Sequence, residues 1–248
     1  MTFDIITIFP DYFDSPLRDG VISRAISSGK IAVHTIDLRD FTTDAHRTTD
    51  DRPYGGGPGM VMLPAPLSKA IRHAKEKRGN GLVINLTPRG MVFNQQMARK
   101  LVSYEHIIVI CGRYEGIDQR IVEKYVDLEL SIGDFVLSGG EPAALVLMDA
   151  IGRLIPGVLG CENSALEDSF ETGLLEYPHY TRPRVFEGIE VPEVLLSGHH
   201  KMIYKWRRKQ SLAITLERRP DLLTRADLDA EDLAFLKRLG YELKASEK

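Results

Sequence analysis

Short apolar runs alternate with helix-periodic segments up to about residue 155, and few folds accept that order. "FDIITIF" (3–9) has strand length and ends at Pro10. Leu17, Val21, Ile22, Ala25 and Ile26 then recur at helical spacing before Gly29. "IAVHTIDL" (31–38) is β-branched and alternating, and "PAPLSKAIRHAKEKRG" (64–79) reads as a helix with a basic outer face. "LVINL" (82–86) is a strand followed by a loop, "TPRGMVF". Asn94 is placed to cap a helix over 95–103. "HIIVICG" (106–112) reads as a buried strand, with a short helix over about 117–125. "VDLELSIG" (126–133) is a further strand, and Pro142 opens an apolar helix that runs to about 155. Strands alternating with helices predict an α/β domain with a mostly parallel sheet.

Composition narrows the class. The chain has 248 residues, 43% hydrophobic and 27% charged, enough to bury a core as one large domain or two smaller ones. The start, "MTFDIITIFPDYF", carries acids and no basic stretch, so it does not read as a signal peptide. No apolar run approaches the roughly 18–20 residues that span a bilayer, and the expected location is the cytoplasm. Cys111 and Cys161 make neither a disulfide framework nor a metal cluster.

The net charge of −3 gives no hint of nucleic acid, yet it hides an asymmetry. Residues 199–219, "HHKMIYKWRRKQSLAITLERR", hold Lys201, Lys205, Arg207, Arg208, Lys209, Arg218 and Arg219 against one acid, Glu217. Before them, "PGVLGCENSALEDSFETGLL" (156–175) is glycine-bearing, acidic and weakly periodic, as a linker would be. After them the chain closes with what reads as an acidic helix pair, "PDLLTRADLDAEDLAFLKRLGYEL". The expected organisation is an α/β domain over 1–158, a linker over 159–175 and a small helical domain over 176–248.

Four glycines and two prolines crowd "DRPYGGGPGM" (51–60). This stretch lies between a strand and a helix of the first domain, so it is a shaped loop and not an interdomain linker. Three more glycine-bearing loops each follow a strand: "TPRG" (87–90), "GRYEG" (112–116) and "IGDFVLSGGE" (132–141). Loops at the carboxyl ends of parallel strands are where α/β folds bind ligands, and glycine lets backbone groups come close. None follows the first strand as G-x-G-x-x-G and none reads G-x-x-x-x-G-K-[ST], which disfavours a Rossmann dinucleotide site and a P-loop.

"DDRPYGGGPGM" (50–60), "GRYEGID" (112–118), "SIGDFVLSGGE" (131–141), "RLIPGVLG" (153–160), "EDSF" (167–170), "PHYTRP" (178–183) and "VLLSGHH…WRRKQSL" resemble, in order, the blocks of the bacterial tRNA (guanine-N1)-methyltransferases. The resemblance implies a deep trefoil knot in the α/β domain and a homodimer with the active site at the subunit interface. It also implies S-adenosylmethionine as cofactor and the guanosine at tRNA position 37, beside the anticodon, as acceptor.

Carried over, the cofactor loops are Leu86, Thr87, Pro88, Arg89 and Gly90; then Gly112, Arg113, Tyr114, Glu115 and Gly116. The third comprises Ser131, Ile132, Gly133, Asp134, Phe135, Val136, Leu137, Ser138, Gly139 and Gly140, with Pro142 beside it. Asp168 becomes the general base and Arg153 the partner of guanine O6. Without the family, Asp168 reads as a helix cap or a solvated acid, and Arg153 as a partner for helix carbonyls. Asp50, Gly59 and Ser164 are implied to face the substrate. Lys205, Arg207, Arg208 and Lys209, around Trp206, become the tRNA grip. His46 and Arg52 are candidate phosphate contacts. Glu115 is a candidate partner for the sulfonium or for Mg²⁺, although no acids here have the spacing of a metal cage. Two other readings stay open: a knotted ribose 2′-O-methyltransferase, and an RNA-binding module without catalysis.

Overall fold

The computed structural model describes residues 1–160 and 168–241. Cys161, Ser164 and the rest of 161–167, within the expected linker, fall outside the described residues. The chain divides into two compact units, Met1–Glu162 and Asn163–Lys248.

The first unit is built on a five-stranded sheet in the order β2-β1-β6-β5-β7, from Thr2–Thr7 (β1), Ala32–Asp37 (β2), Leu82–Val92 (β5), His106–Cys111 (β6) and Leu128–Ser131 (β7). Every pairing in it is parallel. The helices are Gly20–Ser27 (α1), Pro64–Arg78 (α2), Gln95–Leu101 (α3), Gln119–Tyr125 (α4) and Glu141–Gly152 (α5).

A central parallel strand is buried on both faces, which is why "HIIVIC" has no polar alternation. Successive side chains still point to opposite faces. Ile107 and Val109 join Phe3 and Ile5 in a core with residues of α1, α3 and α5. Ile108 and Ile110 join Ile6 and Ile8 in a second core with Leu67, Ala70 and Ile71 of α2 and Ile121 of α4. Asn94 caps α3 through its side chain, which accepts from the Met97 amide at 2.9 Å.

The structure differs from the sequence expectation in several places. β5 does not stop at Leu86 but runs on to Val92 through a register shift, with Leu86 and Met91 both opposite Leu130. The glycine-rich loop is flanked by two-residue strands, Asp50–Asp51 (β3) and Val61–Met62 (β4), which pair antiparallel. The expected terminal helix pair is a 3-10 turn, Pro220–Thr224, followed by one helix, because Arg225 to Asp229 leave the helical path.

The second unit holds Glu193–Leu196 (α6), His200–Arg218 (α7) and Ala230–Arg238 (α8), with a hairpin of Val185–Phe186 (β8) and Ile189–Glu190 (β9) that the pattern did not announce. Its core is small: Leu174, Leu212, Leu223 and Leu236. A polar clasp supplements it. Arg208 of α7 reaches Asp232 of α8 at 2.6 Å and the Asp227 carbonyl at 2.8 Å. Asp232 also closes a capping box with Asp229 at the start of α8. Among the described residues, no helix is long and apolar enough to cross a membrane.

Candidate active site

The carboxyl ends of β5, β6 and β7 are neighbours in the sheet, so the loops that leave them meet over one edge. The register shift in β5 pushes Thr87 to Gly90 out of the ladder. Gly90 has to be glycine for packing: a Cβ there would stand 2.4 Å from the Leu130 amide nitrogen. β6 turns out through Gly112 to Gly116, with Tyr114 at φ 58° and the Gly116 amide donating to the Arg113 carbonyl. β7 turns out at Ser131, whose hydroxyl oxygen accepts from the Gly133 amide at 3.2 Å.

Together they line a pocket of about 730 Å³, mouth included. The first loop contributes Leu86, Thr87, Pro88 and Arg89, and the second Gly112, Glu115 and Gly116. From the third come Ser131, Ile132, Gly133, Phe135, Leu137, Gly139 and Gly140. Gly90, Arg113, Tyr114, Asp134, Val136, Ser138 and Pro142 belong to the same loops but not to the lining. Four lining residues were not foreseen: Asn85, Ile117, Leu130 and Ala143. For Asn85 a signal existed, a lone amide in the otherwise apolar run "LVINL".

The loops are fixed to one another by a buried ion pair. Glu141, fully buried at the start of α5, accepts from the Thr7 hydroxyl at 2.7 Å and faces the Arg113 guanidinium at 2.8 Å. Arg113 also donates to the Ser138 carbonyl at 3.1 Å, and its guanidinium lies 4.5 Å from the centre of the Phe9 ring. The Arg113–Glu141 pair therefore ties β1, the second loop and the third loop together. The glycines fit around it. A Cβ on Gly139 would collide with Arg113, and one on Gly140 would stand 2.7 Å from the Cys111 Cα. Burial, with Glu141 adding to it, pushes the Cys111 thiol well up, so Cys111 is packing and not a nucleophile.

Gly112 is different. Its φ is not left-handed, and a Cβ there would meet no protein atom closer than 3.8 Å. Nothing in the fold demands glycine at that point, while the space beside it opens into the pocket. Leu86, Leu130, Ile132 and Leu137 offer apolar walls to a flat ring, and the loop backbones offer donors and acceptors. These features fit an adenosyl group.

The glycine-rich loop reaches the same region. β4 lies along the second loop: the Met62 amide donates to the Gly116 carbonyl, and the Glu115 amide donates to the Met60 carbonyl. Gly59 has φ +85°, and a Cβ on it would strike the Glu115 side chain. Glu115 thus stands between the glycine loop and the pocket, with Asp50 in β3 on the strand that pairs with β4. His46 and Arg52 are exposed.

The remaining candidates are placed singly. Arg153 follows α5, and its amide donates to the Asp149 carbonyl at 3.1 Å. Asp168 lies in the second unit, where its carbonyl accepts from the Glu171 amide. The basic stretch on α7 is partly spent within its own unit. Arg208 is held by Asp232, and the Arg207 guanidinium lies 4.7 Å from the centre of the Tyr177 ring. Lys209 approaches Phe235, and Lys205 pairs with the exposed Glu231 at 2.8 Å. Among the described residues, no three His, Cys, Asp or Glu side chains cluster in a way that could hold a metal ion.

A family model described as "tRNA (Guanine-1)-methyltransferase TrmD" matches residues 1–225. A tRNA (guanine-N(1)-)-methyltransferase of Caldanaerobacter subterraneus subsp. tengcongensis is 54% identical over 98% of this chain and 100% of its own. That of Geotalea uraniireducens is 55% identical over 96% of this chain and 97% of its own. That of Chloroflexus aggregans is 53% identical over 98% and 96%.

Proposed function

This chain belongs to the tRNA (guanine-1)-methyltransferase family, and from that premise we propose that it transfers a methyl group from S-adenosylmethionine to N1 of the guanosine beside the anticodon, at tRNA position 37. The observation that carries the reading is the pocket itself. Three loops from adjacent parallel strands enclose it, an apolar lining meets exposed backbone, and the glycine-rich loop is laced to its rim.

The chemistry assigns the roles. S-adenosylmethionine, when bound, supplies an electrophilic methyl on a sulfonium. Guanine N1 carries a proton and is a poor nucleophile until it loses it. Asp168 is the base that takes that proton, and Arg153 donates to O6, where the negative charge collects. The cofactor loops orient the adenosyl group and exclude water. Arg113 and Glu141 hold those loops in register. Asp50, Gly59 and Ser164 receive the target guanosine and its neighbour, and Glu115 stands where the glycine loop meets the cofactor. Among the described residues no cluster of carboxylates forms a cage for Mg²⁺.

The larger frame is also a proposal. The α/β unit carries a deep trefoil knot. Two chains form a homodimer in the cytoplasm with each active site at the interface, and the docking of tRNA brings Asp168 to the guanosine. On α7, Lys205 and Lys209 supply phosphate charge. The test is methyl transfer from labelled S-adenosylmethionine to tRNA transcripts that differ only in guanosine or adenosine at position 37. Incorporation into both would point to another acceptor position.

A further inference from the structure

Asn85 is a polar side chain where the fold would accept an apolar one. It sits in β5 between Ile110 of β6 and Glu129 of β7, and it is 3% exposed. Its Nδ2 donates to Glu129 Oε1 at 2.9 Å. A carboxylate only accepts, so the amide is oriented by chemistry: Nδ2 must face Glu129, and Oδ1 must face away. Among the described residues nothing donates to Oδ1. That oxygen borders the pocket. It lies 4.0 Å from the point where a Cβ on Gly112 would stand, and the Leu86 carbonyl oxygen lies 3.8 Å from the same point. The open space beside Gly112 is thus flanked by two acceptors and by an Ile117 methyl at 3.8 Å, and it is lined by Asn85 itself.

Two acceptors around one space suit a ligand with two adjacent donors. The adenosyl group has such a pair in the vicinal hydroxyls of its ribose. Its purine suits the apolar walls, Leu130, Ile132 and Leu137, better than this glycine-bordered rim. We propose that Asn85 is a specificity-determining residue that reads the ribose of the methyl donor, its Oδ1 accepting from one of the two hydroxyls. Glu129 is its positioning residue. By accepting from Nδ2 it locks the amide and polarises it, which makes Oδ1 a stronger acceptor. This rests on the cofactor reading above.

The test is calorimetry on the full chain with S-adenosylhomocysteine and with its 2′-deoxy, 3′-deoxy and 6-deamino analogues. The wild type should bind the parent about tenfold more tightly than at least one deoxy analogue, the effect of one hydrogen bond to a neutral group. In Asn85→Leu, which keeps the volume, the parent should fall to the level of that deoxy analogue, and removing the hydroxyl should then change nothing. A wild type indifferent to both deoxy analogues overturns the proposal without any variant, so the test survives a misfolded mutant. An Asn85→Leu chain that keeps the full hydroxyl preference also overturns it. So does coupling of Asn85 to the 6-amino group instead. If the wild type binds none of the four, the cofactor reading fails and this inference falls with it.

Discussion

Gly112 and Gly140 separate two reasons for glycine in a binding loop. Gly140 is demanded by the protein, since its Cβ would stand 2.7 Å from the Cys111 Cα. Gly140→Ala should therefore lower stability, by about 1–3 kcal/mol as overpacking does, and any loss of cofactor affinity would follow from the displaced loop. Gly112→Ala meets nothing within 3.8 Å. It should melt like the wild type and bind S-adenosylhomocysteine more weakly. Calorimetry and thermal melts on the two variants separate these outcomes, and a Gly112→Ala chain that binds as the wild type does would mean that Gly112 serves the turn alone. The base is tested differently. Asp168→Asn should slow single-turnover methyl transfer by at least about 10²-fold while cofactor binding survives. A rate within threefold of the wild type would remove Asp168 from the role.

Among elements, α7 carries two kinds of cation. Arg208 is a structural clasp to a buried carboxylate, and its loss leaves Asp232 uncompensated. Arg208→Ala should destabilise the second unit by about 2 kcal/mol, on the scale of hydrogen bonds to charged groups. Lys205 and Glu231 are 43% and 54% exposed, and such surface pairs add little. Lys205 can therefore exchange Glu231 for a phosphate. Changing Lys205 and Lys209 together to Ala should leave the fold intact, raise the tRNA KM and lower the salt slope of binding by about two. An unchanged slope would place the phosphate contacts elsewhere. The sequence groups Lys205, Arg207, Arg208 and Lys209 as one tRNA grip, because it shows charge but not partners. Other elements were legible to different degrees. The apolar runs and their glycine exits gave the strands and the three loops, since burial and turn chemistry are local. The β5 bulge was not legible: it depends on Leu86 and Met91 competing for Leu130 across the sheet. Nor was the Arg113–Glu141 tie, whose ends lie on different elements. Asn85 left a visible mark as one amide in an apolar run, but its use follows only from Glu129 opposite it.

At the scale of the whole molecule, Asp168 and Arg153 belong to different compact units, and the proposed site takes the base from one chain of the dimer and the O6 partner from the other. A shared site predicts complementation. Mixing Asp168→Asn chains with Arg153→Ala chains should restore some activity, because in a mixed dimer both lesions can fall in one site and leave the other whole. A mixture as inactive as its parents, with mixed dimers confirmed by native mass spectrometry, would place both residues on one chain's site. The expectation of a knot, a dimer and an acceptor position rests on the family resemblance, since neither periodicity nor composition indicates them; chains rarely thread their own loops, and a net charge of −3 gives no hint of RNA. The central claim is methylation of one ring nitrogen at one nucleotide, and the most direct measurement is mass spectrometry of nucleosides from tRNA treated with the enzyme and S-adenosylmethionine. The expected product is 1-methylguanosine from transcripts with guanosine at position 37, and none when that position is adenosine. A ribose-methylated nucleoside, or 1-methylguanosine formed regardless of position 37, would contradict it.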